Sequence, residues 1–521
     1  MELVRENIIL NKHVGREKSQ LLLEGDIIVP EAKPDIASVL KNGAKVSVSK
    51  VTAGAGRISF SGKMRVDVLY LADNGEISVH SVGTQVFIDD FINMEGVEPQ
   101  MWVNLTAEIA NVDYRIVNDR KLNYRAVIDI TAEAWDNKEF NAVRNIEGLG
   151  DTQQKNTFFT ATNMTAKQMD HFTIRDEVAL PPIKPDIREL LQVGVEIAGK
   201  EVRLADGRVD VSGNLIISPL YKGSEEDSII EFADFELPFS GSLDVAAASE
   251  VAFGDVNLYI TDHVVDIIAD AEGADRVLSM EVTIGADIKI SESRSVDILA
   301  DAYCIDQNLN IAAENIEYQR LVCRNRNQFS LKEVVGFADA PEILQILQVD
   351  GIARVEDISV AEDKVVVEGI VEADILYVAN SDTAPLANYT AHLPIRQVIE
   401  TKGATPAMAA QISYNIDQIN FNMLGGSEVE LRFNLNFDTL VQEPSQVQFI
   451  QEIEFNPLDK DALEALPSMV VLVAEKGDSL WSIAKKYNAD LEELAQINQL
   501  ETTDALISGQ KLLVVKKVSE E

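Results

Sequence analysis

The chain has 521 residues, of which 46% are hydrophobic and 25% are charged, a composition typical of globular proteins. Its length is sufficient for several domains. The 86 acidic and 45 basic side chains give a formal net charge of −41. Because such a surface repels phosphate backbones and anionic lipid headgroups, neither nucleic acid nor a membrane surface is an expected partner.

Cysteine usage and hydropathy indicate where the chain works. The only cysteines are Cys304 and Cys323, without C-x-x-C spacing, which is typical of a reducing compartment and predicts two structural thiols. The N-terminal residues lack the apolar core of a secretion signal, and no apolar run approaches the roughly 20 residues that span a bilayer. We therefore expect a cytoplasmic protein that is not inserted into a membrane.

Three stretches of the chain share one motif. Residues 29–40 contain Lys-Pro-Asp-Ile, residues 180–191 repeat it, and residues 337–347 carry a weaker version in which Ala340 and Glu342 replace the lysine and the aspartate. The motif prolines are separated by 151 and then 156 residues, and two further landmarks keep that spacing. These landmarks are a glycine and a tyrosine in each copy: Gly62, Gly213 and Gly369, and Tyr70, Tyr221 and Tyr377.

Each motif predicts a short helix. Proline suits the first helical position because its missing N–H would be unpaired there, and the acidic residue that follows favours the helix dipole. In the first copy Ile36, Val39 and Leu40 fall at i, i+3 and i+4, the spacing of one apolar helix edge. We expect this helix to dock on a sheet.

A long strand is expected further along each copy. From Ile58 to Tyr70 apolar and polar residues alternate, and residues 209–221 and 365–377 do the same in the other copies. A period of two predicts a strand with one buried face, and the glycine inside it predicts a bulge or a bend. The sequence therefore predicts a mainly β protein of three tandem sandwich or open-barrel modules, each with a short helix.

Polar stretches suggest the module boundaries. Residues 148–167 resemble a linker, 304–326 form a less clear joint, and 456–468 include a short helix expected at 461–466. We expect four units: a first module at 1–150, a second at 166–306, a third at 325–455 and a small C-terminal domain at 468–516.

The C-terminal residues predict the order β-α-α-β. A strand at 470–474 precedes a helix with its apolar stripe on Leu480, Ile483 and Tyr487, which Asn488 ends. Asp490 caps a second helix, and a last strand follows at 511–515.

This segment resembles a LysM module. The resemblance rests on Glu475 to Ala484, on Asn498 and on the closing residues 507–512. It implies a shallow groove for N-acetylglucosamine polymers between the first β-α loop and the loop before the last strand. Six residues would then bind a ligand or partner: Gly477, Asp478, Ser479, Leu480, Leu506 and Ile507. Each also has a structural interpretation as turn glycine, helix cap or core residue, because so small a domain needs these residues to fold.

The three repeats resemble the SPOCS, or spore-coat-assembly, domain, and their combination with a LysM domain resembles the spore morphogenesis scaffolds of endospore formers. The resemblance implies a non-catalytic scaffold for coat assembly in the mother-cell cytosol, at the forespore surface. It also implies docking on the morphogenetic ATPase of the coat basement layer. A cell-wall protein that binds peptidoglycan and a cryptic cell-wall enzyme remain as alternatives.

Sequence motifs of catalysis are missing. There is no Walker loop, G-x-S-x-G or H-E-x-x-H, and the five histidines lie too far apart for metal-ligand spacing. We expect no catalytic residue, no metal and no cofactor. The Lys33-Pro34-Asp35 motif has two interpretations, a ligand-binding patch or a structural signature.

Overall fold

A computed structural model describes residues 2–72, 78–148, 151–224, 230–305, 307–337, 340–381, 385–457, 469–502 and 505–515. Most of these residues lie in strands, and the two helices that it describes are both in the C-terminal domain. The predicted mainly β class is therefore confirmed.

The strands of the three modules repeat one order. The first module contains β1 (Glu2–Ile28), β2 (Ile36–Gly54), β3 (Arg57–Ala72), β4 (Val79–Asn93), β5 (Trp102–Asn118) and β6 (Lys121–Glu147). The second contains β7 (Thr152–Ala179), β8 (Ile187–Ala205), β9 (Arg208–Gly223), β10 (Glu231–Phe232), β11 (Phe235–Asp244), β12 (Phe253–Ala269) and β13 (Asp275–Cys304). The third contains β14 (Gln307–Gly336), β15 (Ile343–Ala361), β16 (Lys364–Ala379), β17 (Leu386–Glu400), β18 (Ala409–Gly425) and β19 (Glu428–Pro457).

Each module is a sandwich of two antiparallel sheets around its own core. In the first module β1, β6 and β5 form one sheet in that order, and β2, β3 and β4 form the other. The alternation predicted between Ile58 and Tyr70 is confirmed, because both residues and the apolar positions between them are buried on β3. Their partners in the core come from β6 of the facing sheet, for example Ile128.

The short helix predicted at the start of each module is wrong, because these residues begin a strand. In β2 the register with β3 shifts between Ile36 and Ser38 and again between Val39 and Lys41, so two β-bulges lie within six residues. Each bulge inserts an unpaired residue and lengthens the spacing between residues on one face from two to three. The other copies have bulges at the same places, and this spacing imitates a helix edge.

The linker predicted at 148–167 is also wrong from Thr152 onward, where β7 begins. This strand pairs with β13 from Thr152↔Cys304 to Ala179↔Val277. It is the edge strand of its sheet and is mostly exposed or half-buried, which explains its polar composition. Strands likewise occupy most of the joint expected at 304–326. The helix expected at 461–466 lies outside the described residues, and we propose module bounds at 2–147, 152–305 and 307–457.

The three modules pack against one another. Corresponding residues of the three copies meet in one buried cluster, which we call the upper cluster. It contains Leu40, Leu191 and Leu347 from the bulged strands, and Leu69, Leu220 and Leu376 from the long strands. Burying leucines from all three copies in one place requires the modules to surround a common axis.

A second shared cluster, the lower cluster, joins the outer ends of the long hairpins. Ile8, Ala161 and Tyr318 come from β1, β7 and β14, and the rings of Phe140 and Phe449 stack across two modules at 5.2 Å. Each module also contacts both others through an arginine that donates to a main-chain oxygen: Arg5 to Gln451 at 2.7 Å, Arg294 to Asn7 at 3.1 Å and Arg324 to Gly254 at 3.0 Å. The modules therefore form a closed ring.

Candidate functional site

The C-terminal domain has the predicted β-α-α-β order. It consists of β20 (Met469–Val473), α1 (Leu480–Tyr487), α2 (Leu491–Ile497) and β21 (Lys511–Val515). The two strands pair antiparallel. Ile483 of α1, Leu494 of α2 and Leu512 of β21 are buried together in a small core.

Side-chain caps fix both helices, as the sequence predicts. The Ser479 hydroxyl accepts the N–H of Ser482 at 3.1 Å, and Asn488 ends α1 in the left-handed conformation at φ 48°. Asp490 caps α2 by accepting two main-chain N–H groups. The Asn498 side chain donates to Leu513 O at 2.8 Å and accepts Leu513 N at 2.7 Å, so it ties α2 to β21.

The first predicted binding loop forms a hydrogen-bonded turn. Gly477 has φ +100°, a conformation that L side chains rarely adopt. The Asp478 carboxylate accepts Glu475 N at 2.9 Å, which closes the turn before the Ser479 cap. Leu480 is 1% exposed and belongs to the core, so it supports the loop from below and does not line a groove.

The second predicted loop presents an apolar side chain. Leu506 is half-buried against the core, whereas Ile507 is 74% exposed. Gln510 accepts Ile507 N at 3.0 Å, and Gly509 N donates to Ala474 O at 2.8 Å, beside the start of the first loop. Of the six predicted residues, Gly477 and Ile507 are exposed, Asp478, Ser479 and Leu506 are half-buried, and hydrogen bonds hold both loops in place.

Sequence reasoning missed that the C-terminal domain is seated on the second module. The Tyr303 hydroxyl donates to Ala489 O at 2.8 Å, and the Trp481 indole N–H donates to Asp301 at 2.8 Å. The two rings meet edge to face at 5.0 Å, and Lys485 forms an ion pair with Asp301. A signal was present, since Trp481 lies off the apolar stripe of α1, where a core residue is not expected.

The C-terminal domain packs on the second module, and not on the others, because one residue differs among the three copies. Ile146, Ala302 and Ile453 occupy corresponding positions in one buried cluster. The next residue is Tyr303 in the second module, but Glu147 and Glu454 in the others. Burial, with Asp490 nearby, raises the pKa of Tyr303 above its ordinary value.

The Lys-Pro-Asp motif is a structural lock. The Arg120 guanidinium binds the Asp35 carboxylate at 2.5 Å and donates to Pro30 O at 2.7 Å. Arg276 repeats both contacts in the second module, with Asp186 and with Pro181 O. In the first module the Lys33 ammonium donates to Ser81 O at 2.7 Å and faces Glu189 of the second module at 3.6 Å. These internal partners favour the structural interpretation of the motif.

The described residues contain neither a metal-binding group nor a membrane-spanning helix. Within those ranges no group of His, Cys, Asp and Glu side chains could hold a metal ion. The described helices include none with the length and apolar character needed to cross a bilayer. Cys304 is buried and Cys323 half-buried, and the two do not form a disulfide bond.

The ring of three sandwiches, with the small C-terminal domain packed on the second of them, defines a mainly β multidomain protein. Residues 35–117, 186–268 and 342–424 match the family described as SipL, SPOCS domain, and residues 473–515 match the LysM domain. Both are binding domains without catalysis. The chain is therefore a SipL-like protein, with three tandem SPOCS domains and a C-terminal LysM domain.

A curated relative shares a short segment with the chain. SpoIVD-associated factor A of Bacillus subtilis (strain 168) is 45% identical over 47 residues, which is 9% of this chain and 12% of that protein. The chain thus covers about one eighth of the relative's length. No solved structure matches the chain.

Proposed function

We propose that this protein is a scaffold for spore coat and envelope assembly at the forespore surface, and that its LysM domain docks on a coat morphogenetic ATPase. Three tandem SPOCS domains support a role in coat assembly. The relative named SpoIVD-associated factor A supports a protein partner, because that name records association with SpoIVD. In this proposal the chain works in the mother-cell cytosol.

The observation that carries the proposal is the orientation of the LysM domain. Its contacts with the second SPOCS domain use Trp481, Lys485 and the turn at 489–490. Among the described residues, the 477–480 and 506–507 loops form no hydrogen bond or ion pair with the SPOCS ring. A domain mounted by one face on a rigid frame presents the other at a fixed angle, which suits docking on a large assembly.

The accessible surface suits a protein partner. Ile507 is 74% exposed, and its loop is joined to the start of the first loop by the hydrogen bond from Gly509 N to Ala474 O. On the outer face of β20, Met469, Val471 and Val473 are 64%, 66% and 50% exposed. Apolar anchors with a polar rim are typical of protein interfaces.

The test is a pull-down of the coat ATPase with the full chain and with the variant Ile507→Glu. We expect the variant to lose at least about tenfold in affinity, because a charge replaces an apolar anchor. Ile497→Glu is the matched control, since Ile497 is 43% exposed at the far end of α2. Equal capture by Ile507→Glu and the unmodified chain would contradict docking through these loops.

A second candidate is the binding of peptidoglycan, because LysM domains commonly bind N-acetylglucosamine polymers. Sedimentation with purified peptidoglycan separates the two candidates. Strong sedimentation that Ile507→Glu abolishes, together with unchanged ATPase capture, would replace the scaffold proposal with the glycan-binding one. A fluorescent fusion that does not gather at the forespore would contradict the proposed location.

A further inference from the structure

One sheet edge differs among the three SPOCS domains. The strands β4, β11 and β17 correspond, and each forms an edge of its sheet. Their buried residues Ile88, Phe239 and Ile395 align, and the residue before each is Phe87, Pro238 and Pro394 respectively. The second and third domains thus carry proline where the first carries phenylalanine.

Pro238 and Pro394 indicate the direction in which the main-chain N–H of the corresponding residue Phe87 points. Proline lacks an N–H, so within a sheet it is tolerated where that group would face the open edge. The N–H of Phe87 therefore points away from β3, and so do those of Gln85 and Asp89, because alternate residues share one direction. Phe91 agrees, since its N–H donates to the Asp90 carboxylate at 2.8 Å and not to the neighbouring strand.

Side chains on this edge are exposed and mixed in character. Phe87 is 79% exposed and Phe91 is 48% exposed, with exposed Asp89 between them on the same face. An edge strand with free N–H groups is a template for another strand, and a proline on the edge is one device that blocks such pairing. The second and third domains carry this proline, as Pro238 and Pro394, and the first domain does not.

We propose that the β4 edge of the first SPOCS domain binds an extended segment of another protein by adding it as a strand. The main-chain groups of Gln85, Phe87 and Asp89 would hydrogen-bond to that segment. Its side chains would read apolar, basic, apolar at alternate positions, opposite Phe87, Asp89 and Phe91. This site is separate from the LysM loops and does not depend on the function proposed for them.

Charge identifies the occupant as another protein. In antiparallel pairing of two copies centred on Asp89, the two Asp89 carboxylates would face each other, and each chain carries a net charge of −41. The adjoining Asp90 adds to the acidic character of the strand. A segment with a basic residue between two apolar ones complements the pattern of Phe87, Asp89 and Phe91. A second copy of this chain would be repelled by the acidic residues.

The probe is a synthetic peptide, Thr-Val-Thr-Lys-Thr-Val-Thr with blocked ends, added to the full chain. We expect saturable binding and slower amide hydrogen exchange at Gln85, Phe87 and Asp89. Methylating alternate peptide nitrogens should abolish binding, because strand addition depends on main-chain hydrogen bonds. Replacing the peptide's lysine with glutamate should weaken binding about tenfold.

Two variants test the assignment to this edge. Phe87→Pro imitates the other two domains and should abolish binding while leaving the melting temperature nearly unchanged. Asp89→Lys should reverse the charge preference, so that the glutamate peptide binds better than the lysine peptide. This second variant tests the edge even if Phe87→Pro folds poorly. Phe158→Ala is the control, because Phe158 is 72% exposed on another edge strand.

Several results would overturn the proposal. These are no saturable binding of the lysine peptide, unchanged binding by both variants, exchange protection elsewhere in the chain, or dimerisation through β4. Because each readout concerns the first SPOCS domain, failure here is distinguishable from failure of LysM docking.

Discussion

The hydroxyl of Tyr70 donates a hydrogen bond to the carbonyl oxygen of Pro34 at 3.0 Å. In the second copy Tyr221 makes the same bond to Pro185 at 3.3 Å. Two repeated landmarks of the sequence are therefore two ends of one contact, which holds the turn before the bulged strand against the long strand. In the third copy the described contact of Tyr377 is the ring of Phe337, at 5.4 Å.

Tyr70→Phe should lower the free energy of unfolding by about 1 kcal/mol, because it removes one buried hydrogen bond and leaves a carbonyl oxygen without that partner. Tyr377→Phe should change it much less. Urea unfolding of both variants measures the difference. Equal losses would show that the hydroxyl bond does not hold this turn.

Glycine is needed in the long strands because the bulged partner strand comes close. A Cβ on Gly62 would stand 2.3 Å from Ser47 O, and one on Gly369 would stand 2.1 Å from Arg354 O. On Gly213 it would stand 3.0 Å from Ala198 O. Gly62→Ala and Gly369→Ala should therefore each cost about 2 kcal/mol or more, and Gly213→Ala less.

Thermal or urea unfolding tests this ranking. Gly43→Ala is the control, since a Cβ there meets nothing within 4 Å. A neutral Gly62→Ala would show that the close approach relaxes freely. Gly213→Val should cost more than Gly213→Ala, because the ring of Phe239 lies 3.1 Å from the Cβ position.

Tyr303→Glu should release the LysM domain from the ring without unfolding it. The change places in the second domain the residue that the first and third carry, and it puts a carboxylate beside Asp301 and Asp490. In a Trp102→Phe/Trp135→Phe background the fluorescence of Trp481 should shift to the red, as its ring leaves Tyr303.

Relaxation of ¹⁵N nuclei should then show faster tumbling of the LysM domain than of the ring. Glu147→Gln is the control, because Glu147 is the corresponding residue of the first domain. Unchanged Trp481 emission in Tyr303→Glu would mean that other contacts hold the domain.

The chain should lose stability in mild acid because of His263. Burial, together with the nearby Arg65 and Lys45, lowers its pKa to about 4, against the opposing effect of Asp262 and Asp67. The unfolded state then binds the proton more readily than the folded state, so stability is full above pH 6.5 and falls towards pH 4. The loss is at most about 3 kcal/mol.

His263→Gln should remove this part of the pH dependence. The comparison is urea unfolding of both chains at pH 7 and pH 5, where few carboxylates titrate. A variant with the same pH slope as the unmodified chain would contradict the assignment to His263.

The sequence by itself determined the repeat, the strand that carries the glycine and tyrosine landmarks, and the LysM domain with its caps. These features depend on local spacing, which is readable along the chain. Only the tertiary structure decided that Ile36, Val39 and Leu40 begin a strand, because bulges opposite β3 changed their spacing. The sequence also did not reveal that the three modules form a ring or that the LysM domain packs on the second one. Both depend on contacts between residues such as Leu69 and Leu376, or Tyr303 and Ala489, that lie far apart in sequence, and no local pattern records which distant surface a side chain will meet.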